Sequence, residues 1–231
     1  MLPIAILAGG LATRIKPISD SIPKSLIVIN NKPFLEWQLQ LLEKNKCKLV
    51  VICVSHKSKM IKDFIQNRTK SNLNIHLSFD GTKQLGTGGA LVKAKELLGT
   101  AFMVLYGDSY LSVNYEKIAN YFVESNNLGL LTIMRNKLKA EPSNVVYKNG
   151  YVQKYDKKIF SEDMRYIDFG LSAFKSEALD GYPANETMDL SLIHSSLATR
   201  RELLGYKVNQ RYFEVGSFQG IQDFQKFSRG L

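Results

Sequence analysis

Apolar runs alternate with amphipathic segments along the first half of the chain. The run that begins at Ile4 and the stretches Lys48–Ser55 and Ala101–Tyr106 are nearly continuous in apolar residues. Such runs are typical of strands that are buried on both faces of a parallel sheet. Between them, residues at helical spacing predict helices, so the pattern indicates an open, mostly parallel α/β sheet with helices on both faces. The other predicted elements of this half are extended segments at Ser25–Asn30, Asn74–Phe79 and Leu128–Met134, and helices at Phe34–Asn45, Lys57–Asn67, Gly88–Leu98 and Tyr115–Ser125.

The pattern changes from about residue 140. Asn149-Gly150 separates two short β-rich segments, and Asn-Gly is a strong hairpin signal. We therefore predict one domain over residues 1–231, divided into an open-sheet half at about 1–135 and a half with a small β lobe at about 136–231. The elements predicted in the second half are strands at Val145–Tyr147, Tyr151–Tyr155, Ile167–Phe174 and Tyr206–Glu214, and helices at Asp189–Leu203 and Gln219–Phe227.

Composition narrows the class of protein. The formal net charge is +10, which invites a nucleic-acid partner. The lysines are scattered rather than clustered, however, and a positive field that attracts phosphate anions explains the charge equally well, so we predict no nucleic-acid partner. Since no apolar run approaches the roughly 20 residues that cross a bilayer, we predict no membrane partner.

The cysteines and histidines form no metal or redox motif. Cys47 and Cys53 match no known spacing, and Cys53 lies in an apolar segment, so we expect reduced thiols and a cytoplasmic protein. We interpret His56, His76 and His194 as structural or surface residues, because they share no metal spacing and have no obvious Cys or Ser partner.

A glycine-rich turn follows the first apolar run. Ala8-Gly9-Gly10 removes side-chain bulk, and Thr13 and Arg14 then offer a hydroxyl and a planar cation. A strand that runs into exposed backbone N–H groups and an arginine is typical of a phosphate-binding loop. Neither G-x-G-x-x-G nor G-K-[ST] is present, and the alternative is an ordinary strand-to-helix turn.

Two further segments carry candidate chemistry. Leu85–Ala90, L-G-T-G-G-A, is a second glycine cluster, where small residues would let a nucleoside approach the backbone; the alternative is a helix N-terminus that happens to contain glycines. Gly107-Asp108 ends a buried strand, where ligands of open α/β sheets bind, and a carboxylate there suits Mg²⁺. An Asp at this position is also a common turn former.

The stretch L-A-G-G-L-A-T-R with the downstream Pro23-Lys24 resembles the signature of the sugar-1-phosphate nucleotidylyltransferase family, and the likeness extends over nearly the whole chain. L-G-T-G-G-A is similar to the motif of the branch that acts on mannose-, heptose- or N-acetylmuramic-type sugar phosphates, with the D-glycero-α-D-manno-heptose 1-phosphate guanylyltransferase type the nearest overall. The resemblance implies that an NTP, with GTP favoured, and a sugar 1-phosphate react to release pyrophosphate. It also implies a Rossmann-like sheet whose first half binds the nucleotide and whose second half binds the sugar.

The same resemblance assigns site residues, with Mg²⁺ as the cofactor. The assigned residues are catalytic Arg14, Lys24 and Asp108; nucleotide-binding Leu7, Ala8, Gly9, Gly10, Thr13, Asp80, Gly86, Thr87 and Gly88; sugar-phosphate-binding Gly107, Asn144, Lys158, Asp168 and Gly170; and metal-binding Asp108 and Glu214.

The chain departs from the family pattern at several of its motifs. Glu214 stands where an Asp is usual, Ser143 where a Gly is expected, Lys157 where an acid is expected and Asp168 where an Asn is expected; Ala12 is a lesser departure. They suggest an altered sugar specificity and leave two alternatives open. One is a UTP- or CTP-dependent transferase acting on another sugar or a non-sugar phosphate; the other is a catalytically weak nucleotide-binding relative. We expect a monomer or homodimer.

Overall fold

The computed structural model describes residues 1–10, 15, 18–69, 71–136 and 142–231, and their strands and helices follow the predicted alternation. The strands are β1 (Ile4–Leu7), β2 (Val28–Ile29), β3 (Lys32–Pro33), β4 (Leu49–Val54), β5 (Asn74–Phe79), β6 (Ala101–Tyr106), β7 (Ser109–Leu111), β8 (Gly129–Arg135), β9 (Val145–Lys148), β10 (Tyr151–Tyr155), β11 (Tyr166–Lys175), β12 (Leu203–Val208) and β13 (Tyr212–Glu214). The helices are α1 (Ile18–Ser21), α2 (Phe34–Lys44), α3 (Ser58–Asn67), α4 (Gly86–Leu98), α5 (Tyr115–Val123), α6 (Ser191–Thr199) and α7 (Phe218–Ser228).

Nine strands of the described residues form one sheet in the order β5-β4-β1-β6-β11-β8-β12-β10-β9. β5, β4, β1 and β6 are parallel to one another. β11 runs antiparallel between β6 and β8, β12 is parallel to β8, and the β9–β10 hairpin extends the sheet at its edge. The predicted α/β class is confirmed. The β-rich second half joins the main sheet through the antiparallel pairs of β11 with β6 and β8 and the parallel pair of β12 with β8.

Both faces of the sheet are covered by apolar residues. Along β1, Ile4 and Ile6 belong to one core cluster and Ala5 and Leu7 to the other, as the two-residue period of a strand requires. Helices α2, α3, α5 and α7 contribute to the first cluster and α4 and α6 to the second, which confirms helices on both faces. None of the described helices combines the length and apolar character that a membrane crossing demands.

Two predicted boundaries in the second half are wrong. The helix predicted at Asp189–Leu203 is shorter because Arg201, with φ of 59°, ends α6 in a left-handed conformation. The Arg201 N–H donates to Ala198 O at 3.1 Å and the Glu202 N–H to Leu197 O at 2.9 Å, which is the Schellman pattern without its usual glycine. The strand predicted at Tyr206–Glu214 is two strands, β12 in the main sheet and β13 paired with β7.

The segment before α2 also differs from the prediction. Ser25–Asn30 was expected to be extended, but Lys24–Leu26 forms a 3-10 turn before the two-residue strand β2. The preceding Pro23 fixes φ near −60° and has no N–H that a turn would leave unpaired. This turn places the Lys24 side chain at the carboxyl edge of the sheet.

Candidate functional site

Two adjoining cavities lie at the carboxyl ends of the parallel strands. The first measures about 490 Å³ and the second about 680 Å³, and both are lined by Tyr106 and Asp108 at the end of β6. Ligands of open α/β sheets bind beyond the carboxyl ends of strands. The cavities therefore form a two-compartment site whose parts meet at Asp108.

Most predicted site residues of the described part of the chain line these cavities. Gly88 and Lys158 line neither, and Thr13 and Arg14, like Ala12, lie outside the described residues, so their roles stay predictions. The first cavity is lined by the predicted residues Leu7, Ala8, Gly9, Gly10, Lys24, Asp80, Gly86, Thr87, Gly107 and Asp108, and the second by Asp108, Asn144, Asp168, Gly170 and Glu214.

The turn after β1 leaves part of its backbone open to the first cavity. The Ala8 N–H donates to Cys53 O at 2.9 Å, which ties the start of the turn to β4. A Cβ on Gly9 would lie 3.1 Å from Ser55 Cβ, whereas one on Gly10 would meet none of the described residues within 4 Å. None of the described residues therefore covers the backbone at Gly10, which is the arrangement that a phosphate loop requires.

Gly107 packs directly against this turn. Its N–H donates to Leu7 O at 3.0 Å, and a Cβ would lie 2.7 Å from Leu7 O and 2.8 Å from Ala8 Cα. Because two backbone atoms cannot yield as a flexible side chain can, only glycine fits at this position. Gly107 thus sets the separation between the turn after β1 and Asp108.

Asp108 forms an ion pair with Lys24. Lys24 Nζ lies 2.8 Å from Asp108 Oδ2, and the Ser109 hydroxyl donates to Asp108 Oδ1 at 3.2 Å. Their side chains are 16% and 27% exposed, so the pair is screened less than a surface pair. The backbone of Asp108 is fixed as well, because its carbonyl accepts from the Val215 N–H at 2.9 Å. Two of the three residues predicted to be catalytic, Lys24 and Asp108, are thus in contact.

Glu214 lies on the strand beside Asp108. β13 pairs with β7 so that Glu214 is opposite Ser109. The Glu214 carboxylate accepts from the Gly216 N–H at 2.5 Å and from the Ser217 hydroxyl, and Ser217 caps α7 by accepting from the Gly220 N–H. The carboxylate therefore points toward the start of α7, where the helix dipole favours negative charge.

The second glycine cluster packs against the chain itself. Gly86 has φ of 70°, and its Cβ would lie 2.6 Å from Met188 O. The Gly88 N–H donates to the same carbonyl at 2.8 Å, and a Cβ on Gly89 would overlap Glu186 O. The segment 186–189 therefore gives Gly88 and Gly89 a packing reason that the sequence analysis did not foresee, and the nucleotide-binding role of Gly88 stays a prediction. Gly86 and Thr87 nevertheless line the first cavity.

Asp80 and Cys53 form a buried part of the wall of the first cavity. Asp80 Oδ2 accepts from the Leu85 N–H at 2.9 Å, and Lys93 Nζ donates to Asp80 O at 3.0 Å. Asp80 thereby fixes the loop that leads into α4. Burial, together with the charge of Asp80, raises the pKa of the Cys53 thiol to about 12, so this thiol stays protonated.

A hydrogen-bonded group forms the polar wall of the second cavity. The Tyr155 hydroxyl donates to Asp168 Oδ2 at 2.9 Å, and the Gly170 N–H donates to Oδ1 at 2.8 Å. The Asp168 N–H donates to Asn144 Oδ1 at 3.0 Å. Burial, followed by the charge of Asp168, raises the pKa of Tyr155, so the phenol remains a donor. Gly170, with φ of 99°, forms part of a bulge in β11 that turns this wall inward.

The structure brings Lys157 rather than Lys158 to the second cavity. Lys157 Nζ lies 3.5 Å from the Tyr106 hydroxyl and 3.7 Å from Asp189 Oδ1, and it faces the Tyr106 ring. Lys158 is exposed, and its N–H donates to Asp156 Oδ1 in the turn that follows β10. The geometry therefore disfavours the predicted role of Lys158 and points to its neighbour.

Sequence reasoning missed several residues of the site. Tyr106 lines both cavities, and Gln84 and Thr187 line the first. The Thr187 hydroxyl donates to Gln84 O at 2.8 Å, across 103 residues of sequence. No local pattern in the sequence signals such a contact.

The fold and the site define an α/β protein with two adjoining ligand compartments at the carboxyl edge of a Rossmann-like sheet. Residues 4–225 match the family model of nucleotidyl transferases. The chain belongs to the nucleotidyl transferase family.

The chain is also similar in sequence to described proteins that transfer nucleotidyl groups to sugar phosphates. The mannose-1-phosphate guanylyltransferase catalytic subunit beta of Xenopus tropicalis is 28% identical over 91% of the chain, and the UTP–glucose-1-phosphate uridylyltransferase of Synechocystis is 27% identical over 98%. The D-glycero-alpha-D-manno-heptose 1-phosphate guanylyltransferase of Campylobacter jejuni is 37% identical over 49% of the chain and 50% of that protein. The chain spans about 60% of the length of the first two.

A solved structure shares the fold over the full length. HddC from Yersinia pseudotuberculosis, complexed with GMP-PN, matches with a TM-score of 0.83 at 21% identity, over 99% of this chain and 100% of that chain. At this identity the likeness shows the fold alone.

Proposed function

We propose that the protein transfers a nucleoside monophosphate from an NTP to a sugar 1-phosphate and releases pyrophosphate. The first cavity would hold the nucleotide and the second the acceptor. One observation carries the proposal: the two cavities meet at Asp108, which is paired with Lys24. The α-phosphate and the acceptor phosphate, both anions, would meet beside this pair.

The proposed reaction is an in-line displacement. An oxygen of the acceptor phosphate forms a bond to the α-phosphorus, the bond to the bridging oxygen of the β-phosphate breaks, and its electron pair leaves with pyrophosphate. Because the attacking oxygen is already deprotonated, no side chain needs to remove a proton. The protein then contributes positioning and charge neutralisation, the main terms in phosphoryl-type transfer.

The residues of the first cavity supply these two contributions. The Lys24 ammonium would contact the α-phosphate and the incoming phosphate, and N–H groups at Gly9 and Gly10 would bind phosphate oxygens. The roles proposed for Thr13 and Arg14, a hydroxyl and a bidentate cation for the phosphates, follow from the sequence.

The carboxylates suit a divalent cation such as Mg²⁺. Glu214 lies opposite Ser109, the residue after Asp108, and both carboxylates offer only oxygen donors, which is the ligand type that Mg²⁺ prefers. From the described residues, each Asp108 oxygen accepts one hydrogen bond or ion pair, which leaves further lone pairs for a metal ion. When bound, the ion would neutralise phosphate charge; the described residues contain no larger group of His, Cys, Asp and Glu for a metal.

The relatives favour GTP as the donor and a mannose- or heptose-type 1-phosphate as the acceptor. Two of the three relatives are guanylyltransferases for such sugars, and the third is a uridylyltransferase, so a UTP-dependent reaction is the alternative. Asp168, whose carboxylate is fixed in the wall of the second cavity, would accept hydrogen bonds from acceptor hydroxyls.

Pyrophosphate release tests the proposal. GTP, UTP, CTP, ATP and dTTP are each incubated with Mg²⁺ and a panel of sugar 1-phosphates that includes mannose, glucose and the heptose. Turnover with one pair supports the activity and identifies base and sugar together. Asp108→Asn should abolish most of the signal, and a panel without turnover would contradict the proposal.

A second candidate, a nucleotide-binding relative with weak catalysis, is favoured by the orientation of Glu214. Both of its carboxylate oxygens accept from protein donors at the start of α7, which competes with metal binding. Thermal stabilisation by a nucleotide without pyrophosphate release from any pair would favour this candidate.

A further inference from the structure

We propose that Gln38, in the middle of α2, is a positioning residue that holds Asp108 in place for the proposed reaction; its kinetic test rests on that proposed function. The side chain is fully buried. Gln38 Nε2 lies 3.0 Å from Tyr106 O and 2.8 Å from Ser109 O. These two carbonyls flank Gly107-Asp108, so a single amide group brackets the turn that carries the carboxylate.

The orientation of the amide follows from its partners. Both groups that face it are carbonyl oxygens, which only accept, so the NH₂ end must point toward the turn. Each of its two protons is then used, one for each carbonyl. Gln38 Oε1 has no hydrogen-bond partner among the described residues, so Gln38 binds the turn through the two hydrogen bonds of its amide nitrogen.

Besides the bonds that Lys24 and Ser109 make to the Asp108 carboxylate, two bonds between backbone atoms hold the turn. The Gly107 N–H donates to Leu7 O, and Asp108 O accepts from the Val215 N–H. Without Gln38, two carbonyl groups would lose the partner that the structure gives them. A buried unpaired carbonyl is costly, and the turn would relax until water or another donor reached it. Such a relaxation moves Asp108, because Asp108 lies between the two carbonyls.

Gln38 also connects Asp108 with Lys24. α2 begins shortly after the 3-10 turn that carries Lys24, and the Phe34 N–H donates to Ile27 O at 2.9 Å. The same stretch of chain thus supplies the Lys24 ammonium and the amide that fixes the partner carboxylate. A displacement of about 1 Å at a reacting centre can reduce a rate about 100-fold, so this bracket bears directly on turnover.

The test compares Gln38→Met, Gln38→Glu and the control Trp37→Phe. Met is close to Gln in volume and donates no hydrogen bond. Trp37 is the neighbouring residue of α2, and its Nε1 donates to Ile29 O at 3.1 Å, away from the turn. The control therefore also removes a buried side-chain bond to a backbone carbonyl, without touching Asp108.

Two measurements separate positioning from a merely structural role. We expect Gln38→Met to lower kcat about 10- to 100-fold with little change in the KM of the NTP, and to raise amide hydrogen exchange selectively in residues 106–111. Trp37→Phe should lower thermal stability without either effect. Gln38→Glu should regain activity relative to wild type as the pH falls, because a protonated carboxyl donates one bond to the turn.

Each outcome decides between the two roles. Unchanged exchange of residues 106–111 in Gln38→Met, or a loss of kcat matched by Trp37→Phe at equal loss of stability, would overturn the inference. If the wild type releases no pyrophosphate with any pair, the proposed function fails, and the exchange data alone still show whether Gln38 holds the Asp108 turn.

Discussion

Lys24 and Asp108, 84 residues apart in the sequence, form an ion pair with a separation of 2.8 Å at the junction of the two cavities. Each belongs to a different short turn, Lys24 to the 3-10 turn before α2 and Asp108 to the turn between β6 and β7. In the proposed reaction, the Lys24 ammonium would contact the two phosphate anions, and the Asp108 carboxylate would bind the divalent cation. The pair is the centre of the proposed chemistry.

Removing either member of this pair should abolish most turnover. We expect Asp108→Asn and Lys24→Met each to lower kcat by about 100- to 1000-fold, because charge stabilisation in a transition state is of this size. The double variant should be scarcely worse than either single one, since the two residues act as a unit. Steady-state pyrophosphate release measures all three.

A surface ion pair provides the matched control. Lys95 and Asp180 also form a Lys–Asp pair, away from both cavities. Lys95→Met should leave kcat within about twofold of the wild type, because exposed pairs contribute little. Equal losses in Lys24→Met and Lys95→Met would contradict a catalytic role for the pair.

Gly107→Ala should damage both the fold and the site. Its Cβ would lie within 2.8 Å of two backbone atoms of the turn after β1, so that turn must move. We expect the free energy of unfolding to fall by about 3 kcal/mol and the KM of the NTP to rise, as measured by urea unfolding and by kinetics. Gly230→Ala, where a Cβ would be in ordinary contact at 3.7 Å from Phe227 O, should change stability by less than about 0.5 kcal/mol. A stable, active Gly107→Ala protein would show that the two turns are not in contact.

Replacing each of the two neighbouring lysines separately tests which of them binds the acceptor. Lys157 lines the second cavity and Lys158 faces solvent. We expect Lys157→Met to raise the KM of the sugar 1-phosphate about tenfold, equivalent to about 1.4 kcal/mol, with the KM of the NTP unchanged. Lys158→Met should change either constant by less than about twofold. The reverse ranking would restore the role that the family pattern gives to Lys158.

The elements set by local pattern could be predicted from the sequence. The apolar run Leu49–Val54 is buried between two parallel neighbours, and Asn74–Phe79 has the predicted bounds. The end of α6 could not be predicted, because Arg201 adopts the conformation that normally signals itself by a glycine. The pattern of apolar residues predicts that a helix is present. It does not predict where the helix ends when a residue other than glycine adopts the left-handed conformation after the last turn.

The residues of the candidate site also divide into those that could be predicted from the sequence and those that could not. Residues in short motifs, such as Gly107 and Asp108, could be predicted, because a glycine and an aspartate directly after an apolar run are visible in the sequence. The packing reason for Gly88 depends on Met188, and the bracket formed by Gln38 depends on a turn 68 to 71 residues away. In the sequence, Gln38 is one polar residue in an amphipathic helix. Contacts between distant segments need the fold.

His194 should make the protein less stable in mild acid. The ring is fully buried, lies stacked on Phe174 with Nε2 at 2.9 Å from the Ser172 hydroxyl, and burial lowers its pKa from 6.5 to about 4. A lowered folded-state pKa means that the unfolded chain binds the proton more readily. The contribution of the neutral His194 ring to the free energy of unfolding is therefore fully present above pH 6.5. It is lost as the pH falls toward 4, by about 3 kcal/mol in all.

Urea unfolding between pH 7 and pH 4 checks this, with His194→Gln as the control. Gln keeps a polar partner for Ser172 but takes up no proton, so the variant should lose about 3 kcal/mol less than the wild type over the same interval. Contributions from carboxylates are common to both proteins and cancel in the comparison. Parallel losses in the two proteins would show that the His194 ring can take up its proton without unfolding, and hence that the second core cluster admits water at this point.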